Sequence, residues 1–167
     1  RSPLLASSAA SDVYKRQARH KGAAVVEVLQ NCVIFNNGVH SYFTDKDQRA
    51  DHTILLRHGE KMLFGKNMDK GLVQDGFGLK AVTVGEDGYT IDDVLVHDAH
   101  CEQNFLQQQL AMMDGHELPV ALGVIRDYQA PSYEAEVERQ VAEVKEKKGF
   151  TSLRDMILKT CESWTIE

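Results

Sequence analysis

Apolar and polar positions change their period several times along this chain, and each change marks an element. Residues 23–29, AAVVEVL, are apolar except for Glu27 and follow Gly22. A short Val-rich run of this kind predicts a strand buried on both faces, as in a parallel sheet. It stops at Gln30-Asn31-Cys32 and opens into an Asn- and Gly-rich loop that runs to Gly38. Residues 41–52 are polar and charged and predict a surface excursion; the short apolar run at 53–56 follows, and Arg57-His58-Gly59-Glu60 turns the chain. Residues 62–65 form another strand candidate. Residues 71–73 and 79–84 flank Gly76-Phe77-Gly78 and predict a hairpin, so these pieces together make a small antiparallel unit.

Residues 94–98, VLVHD, read as a strand that ends in polar residues, and 102–113 place Phe105, Leu106, Leu110 and Met113 at helical spacing, with Gly115 near the stop. Residues 120–126 predict another buried strand. After Pro131-Ser132, the residues Tyr133, Val137, Val141 and Val144 recur at i, i+4, i+8 and i+11, which predicts a helix whose stripe is core in the first reading and a subunit contact in the second. Its acidic first turn (Glu134, Glu136) and basic last turn (Lys145, Lys147, Lys148) complement the macrodipole, and Gly149 supplies the stop. A short last helix over 152–159 has Ser152 and Asp155 in a capping arrangement, and Trp164 is expected to pack the tail back onto the body.

Residues 1–17, RSPLLASSAASDVYKRQ, are Ser/Ala-rich and lack a helical or strand period. Their apolar stretch is too short for a secretory signal. The segment resembles adapter-derived leaders that precede truncated reading frames in assembled environmental sequence. The expectation is a non-native or disordered leader over 1–17, outside the fold.

Composition narrows the classes. A chain of 167 residues with 43% apolar and 26% charged content buries one ordinary core. Net charge is −6, and apart from Lys145, Lys147 and Lys148 the basic groups are scattered, so no footprint for a phosphate backbone exists and nucleic acid is not expected as a partner. No apolar run approaches the roughly 20 residues that cross a bilayer. Three cysteines cannot all pair within one chain, and cytoplasmic residence is the simplest expectation.

Cys32 carries the main chemical question. In open α/β sheets ligands sit beyond the carboxyl ends of the strands, where diverging loops leave a crevice, and Cys32 is expected on that rim as a ligand or nucleophile. The competing reading is a buried, inert thiol. Loop-forming neighbours favour a ligand, since the N–H groups of Val33 and the following loop are then free to donate to a thiolate sulfur. One thiolate does not hold an iron-sulfur cluster, and neither Cys101 nor Cys161 has a spacing that completes one, so any companions of Cys32 lie outside this chain. His97, His100 and Cys101 bring metal-binding residue types together at a strand-to-helix junction, against which stands helix capping by Asp98 or His100. There is no G-x-S-x-G elbow, dinucleotide fingerprint or phosphate-binding loop of the G-x-x-x-x-G-K-[ST] kind.

Four blocks, HKGAAVVEVLQNCVIFNNG (20–38), RHGEKMLFG (57–65), DVLVHDAH (93–100) and PVALGVIRD (119–127), in this order resemble the carboxyl-terminal half of the β subunit of 2-oxoacid:ferredoxin oxidoreductases, the 2-oxoglutarate type above all. The resemblance covers essentially residues 19–167. It implies an α/β fold that is the carboxyl-terminal part of a thiamine-diphosphate-binding fold, with a parallel strand, a small antiparallel unit and terminal helices. Residues 18–40 would end the cofactor-binding domain and 41–167 would form the carboxyl-terminal domain. The implied activity is oxidative decarboxylation of a 2-oxo acid to an acyl-coenzyme A. The subunit would use thiamine diphosphate, Mg2+ and one 4Fe-4S cluster, pair with an α subunit and pass electrons to ferredoxin. Cys32 matches the family's last cluster ligand, while the other cluster cysteines and the segment that holds magnesium and diphosphate have no counterpart here. The resemblance therefore implies a fragment that binds neither cofactor tightly alone, and whose first strand lacks neighbours and leaves apolar faces open. Two other readings stand beside it: a non-catalytic α/β interaction module with a structural Cys32, and a small zinc protein built on His97, His100 and Cys101.

Overall fold

Short apolar runs separated by turn residues become short strands in the computed structural model, which describes residues 4–149, 152–162, 164 and 166. The chain divides into a larger unit, Arg1–His20 with Ala24–Gln129, and a smaller one, Lys21–Ala23 with Ala130–Glu167. No helix among the described residues is long and apolar enough to cross a membrane.

In the larger unit, β1 (Thr53–Leu56) pairs in parallel with β5 (Val120–Gly123), in a register that runs from Thr53 opposite Val120 to Leu56 opposite Gly123. Alternate residues of β1, Ile54 and Leu56, face inward. Between these strands in sequence lies an antiparallel sheet in the order β2 (Leu63–Phe64), β3 (Lys70–Asp75), β4 (Gly78–Thr83). The β3–β4 hairpin turns at Gly76 and Phe77, where Gly76 takes φ +59°, a conformation that side chains disfavour. Ile54, Leu56, Met62, Phe64 and Leu72 pack with Leu110 and Met113, which come from or adjoin helix α4 (Phe105–Ala111), into one core. Full burial of each such side chain contributes about 1.5–3 kcal/mol. Close approach is built in at Gly71, where an added Cβ would lie 2.5 Å from Val94 Cγ2.

Several expectations meet the structure directly. The fold class is α/β, with a parallel strand pair, a small antiparallel sheet and helices, and the expected hairpin is present. The polar excursion contains two single-turn helices, α2 (Ser41–Thr44) and α3 (Arg49–His52), with Phe43 buried between polar neighbours. The helix expected over 102–113 is shorter, α4 (Phe105–Ala111). Residues 94–98 form no regular strand: Val96 makes one bridge with Lys61, while Leu95 and His97 exchange backbone hydrogen bonds with Met62, Leu72, Gly59 and Glu60.

Two expectations at the amino-terminal side are corrected. Residues 23–29 form no strand, and Val25 is 96% exposed. A strand needs a partner for its N–H and C=O groups, and β1 and β5 pair only with each other, so this run lies outside any sheet with its side chains largely exposed. The segment read as lacking a helical period is helical over α1 (Leu4–Arg19), since Ala, Leu, Lys, Arg and Gln favour helix without any stripe. Arg16 near its end pairs with Asp127 at 3.0 Å.

The smaller unit contains α5 (Tyr133–Lys148) and α6 (Leu153–Thr160). Ser132 Oγ accepts from the Ala135 N–H at 3.3 Å, and Gly149 ends α5 in the left-handed region at φ +58°. Ser152 caps α6 in the same way through the Asp155 N–H. Within this unit the stripe of α5 forms no core, with Tyr133 81% exposed, and Trp164 is 83% exposed. Caps, charge placement and propensity specify these helices; burial of the stripe does not.

Candidate functional site

Chain reversal at Gln30-Asn31-Cys32 produces a tight loop rather than a strand end. The Asn36 N–H donates to the Cys32 carbonyl at 3.0 Å, and Cys32 and Asn36 form an isolated antiparallel bridge around residues 33–35. Asn31 braces the loop from outside. Its Nδ2 donates to Asn37 Oδ1 at 2.9 Å and its Oδ1 accepts from the Gly38 N–H at 2.9 Å. Gly38 sits at φ +77°, which a glycine adopts without strain, and its carbonyl accepts from the Ser41 N–H at 3.0 Å.

This geometry presents the Cys32 thiol to solvent with backbone dipoles aimed at it. Hydrogen bonds from the Phe35 and Ile34 N–H groups hold the thiol below its ordinary pKa, more than offsetting slight desolvation, and the Asn36 N–H adds to them. These groups belong to the loop that follows Val33, where the sequence pointed to free N–H donors. A thiolate surrounded in this way suits a soft metal or one corner of an iron-sulfur cluster. The donor set fits one ligand of such a group, because no three His, Cys, Asp or Glu side chains converge as a metal site among the described residues. The expected position on the sheet rim is corrected as well. With residues 23–29 outside any sheet, Cys32 does not sit at a strand's carboxyl end.

That rim is occupied by histidines. His58 follows β1, and the chain beyond β5 carries Val124 and Asp127. His97 is 1% exposed and donates through Nε2 to the Val124 carbonyl at 2.9 Å, leaving Nδ1 buried without a partner; burial pushes its pKa down. His100 Nδ1 donates to the Asp127 carbonyl at 2.7 Å, and its ring lies 4.4 Å from that of His58. Asp98 caps the turn, accepting from the His100 N–H at 2.9 Å. The zinc arrangement is therefore not assembled: His97 and His100 are committed to separate backbone carbonyls. Asp127 gathers Arg16 at 3.0 Å and His20 at 3.3 Å, and although burial raises its pKa, these partners together bring it below the usual range. Sequence reasoning missed the link between His20 and Asp127. Its only trace is that these two residues bound the first and last of the four motif blocks.

Comparison with known proteins follows from this geometry. No family model matches the chain. No solved structure matches it. The curated protein "2-oxoglutarate oxidoreductase subunit KorB" of Mycobacterium tuberculosis (strain ATCC 25618 / H37Rv) is 30% identical over 159 residues, covering 94% of this chain and 42% of that protein. The chain thus spans less than half the length of this relative. The resemblance drawn from the four blocks is borne out by that similarity.

Proposed function

We propose that this chain, a relative of a 2-oxoglutarate oxidoreductase subunit, is part of the β subunit of a 2-oxoacid:ferredoxin oxidoreductase, in which Cys32 supplies one thiolate ligand of a 4Fe-4S cluster. The observation that carries this reading is the Cys32 loop, an exposed free thiol on a turn closed by the Cys32–Asn36 bridge. A purely structural cysteine packs among apolar side chains, and this one does not.

When bound, thiamine diphosphate with Mg2+ supplies the electron sink for decarboxylation of the 2-oxo acid, and the cluster takes electrons one at a time for delivery to ferredoxin. The chain's own part is narrower. Cys32 would hold one iron, and hydrogen-bond donors of its loop would offset the negative charge on its sulfur, which would favour the reduced cluster. The remaining cluster ligands, the thiamine site and the contacts to the 2-oxo acid and coenzyme A are assigned to other parts of the assembly, including a partner α subunit. Support for a covered surface comes from Val25, Val28, Ile34 and Phe35, all more than half exposed around the loop. Cytoplasmic residence belongs to the same proposal, since Cys32, Cys101 and Cys161 are all free thiols and reducing conditions keep them so.

The test is Cys32→Ser in the intact oxidoreductase purified with its partner subunit. Iron content and the low-temperature electron paramagnetic resonance signal of the reduced cluster should fall sharply while the circular dichroism spectrum is retained. Undiminished iron together with normal ferredoxin reduction would overturn the assignment.

A further inference from the structure

Helix α5 carries an apolar stripe that nothing in the structure buries. Val137, Val141 and Val144 are 38%, 46% and 52% exposed, and Tyr133 stands at the amino-terminal end of the same stripe. At 3.6 residues per turn these four positions fall within an arc of about 80°. Charge borders that arc in an ordered way. Glu138 and Lys145 flank one side of it and Glu136 and Lys147 the other, with the acidic groups toward the start of the helix and the basic groups toward its end. Among the described residues Glu138, Lys145 and Lys147 take part in no ion pair, while Arg139 engages Glu136 and Glu143 of its own helix.

A surface patterned in this way is complementary to itself when turned end for end. We propose that α5 is a self-association surface, on which α5 of a second copy of this chain lies antiparallel about a two-fold axis close to Val141. In that arrangement Val137 of each copy meets Val144 of the other, with the two Val141 side chains between them. Glu138 faces Lys145 of the second copy and Glu136 faces its Lys147, and the symmetry makes each contact twice. A parallel copy would set acidic turn beside acidic turn and basic beside basic, and would align the two macrodipoles. Charge therefore selects the antiparallel pairing. Burial of the valines supplies the attraction, and the flanking charges supply the register. A helix of sixteen residues gives about 24 Å of contact, at the small end of specific interfaces, so the dimer exchanges reversibly with monomer. The pairing is independent of any role of Cys32.

The test is sedimentation velocity on the full 167-residue chain, from micromolar to hundreds of micromolar concentration, with a reductant present to keep the exposed Cys32 and Cys161 from linking copies. A reversible monomer–dimer equilibrium is expected, and monomer alone throughout the range would overturn the proposal. Val141→Glu sets two carboxylates against each other at the axis and should leave only monomer, with the helical circular dichroism signal retained. A dimer that survives this change would place the contact elsewhere. Glu138→Lys turns two opposite-charge contacts into like-charge ones and should raise the dissociation constant about tenfold, as should Lys145→Glu. Glu138→Lys combined with Lys145→Glu restores the pairing with its polarity exchanged and should recover the original affinity. Glu146→Lys changes net charge as much as Glu138→Lys does, but half a turn away from Val137, and should leave the affinity unchanged. No recovery in the combined variant, or equal weakening by Glu146→Lys, would overturn the antiparallel arrangement.

Discussion

Two apolar-rich stretches of the larger unit are opposite in fate, and the more apolar of them, 25–35, is the exposed one. Residues 62–73 bury Met62, Phe64, Leu72 and Val73 to 4% exposure or less, while residues 25–35 leave Val25, Val28, Ile34 and Phe35 standing in solvent. The difference lies in neighbours. β3 is flanked by β2 and β4, so its backbone polar groups are paired on both edges and its side chains meet α4 and β1. Residues 23–29 have no strand beside them, and without paired backbone an apolar run cannot be buried at acceptable cost. Hydrophobicity states that a segment would gain from burial, and topology decides whether it is buried.

This contrast is open to direct attack. The largest effect is expected from Leu72→Ala, which removes a side chain with no exposure from the centre of the core and should destabilise the fold by about 3 kcal/mol in urea denaturation. A loss below about 1 kcal/mol would mean that the core is not organised around β3. The equivalent truncation in the open stretch, Phe35→Ala, should change stability by no more than about 0.5 kcal/mol. If it cost as much as Leu72→Ala, the loop would be packed and the comparison would fail.

A pH series extends the contrast to a buried position outside both stretches, His97, which is 1% exposed. His97 has its pKa depressed by burial, with His58 and His100 working in the same direction and the Val124 carbonyl and Asp98 opposing. Protonation therefore favours the unfolded chain. The stability contributed by neutral His97 is complete above the ordinary histidine value of about 6.5 and declines as pH falls from there toward the folded-state value. Denaturation midpoints measured from about pH 7.5 to pH 5 should drop less steeply in His97→Gln than in the unmodified chain. Equal slopes would show that other groups carry the acid sensitivity.

Much of the fold was legible from local pattern. Hairpin glycines, the capped helix from Ser132 to Gly149 and the apolar runs at β1 and β5 are each specified within a few residues, by turn geometry, capping hydrogen bonds and alternation. Cys32 was legible as a candidate because an isolated cysteine between polar, loop-forming residues lacks the surroundings of a core thiol. The way its loop closes was not, since the Asn36 N–H bond to the Cys32 carbonyl and the contacts of Asn31 to Asn37 and Gly38 appear only in the structure.

By itself the sequence determined which segments turn, which helices carry caps, and which cysteine stands in a polar, loop-forming stretch, because these depend on residue type and short-range spacing. Only the tertiary structure decided that residues 23–29 stand open, that His97 is committed to Val124, and that Arg16 and His20 meet Asp127 more than a hundred positions away. Contacts of that range depend on how separate elements close upon one another, and no local period records it.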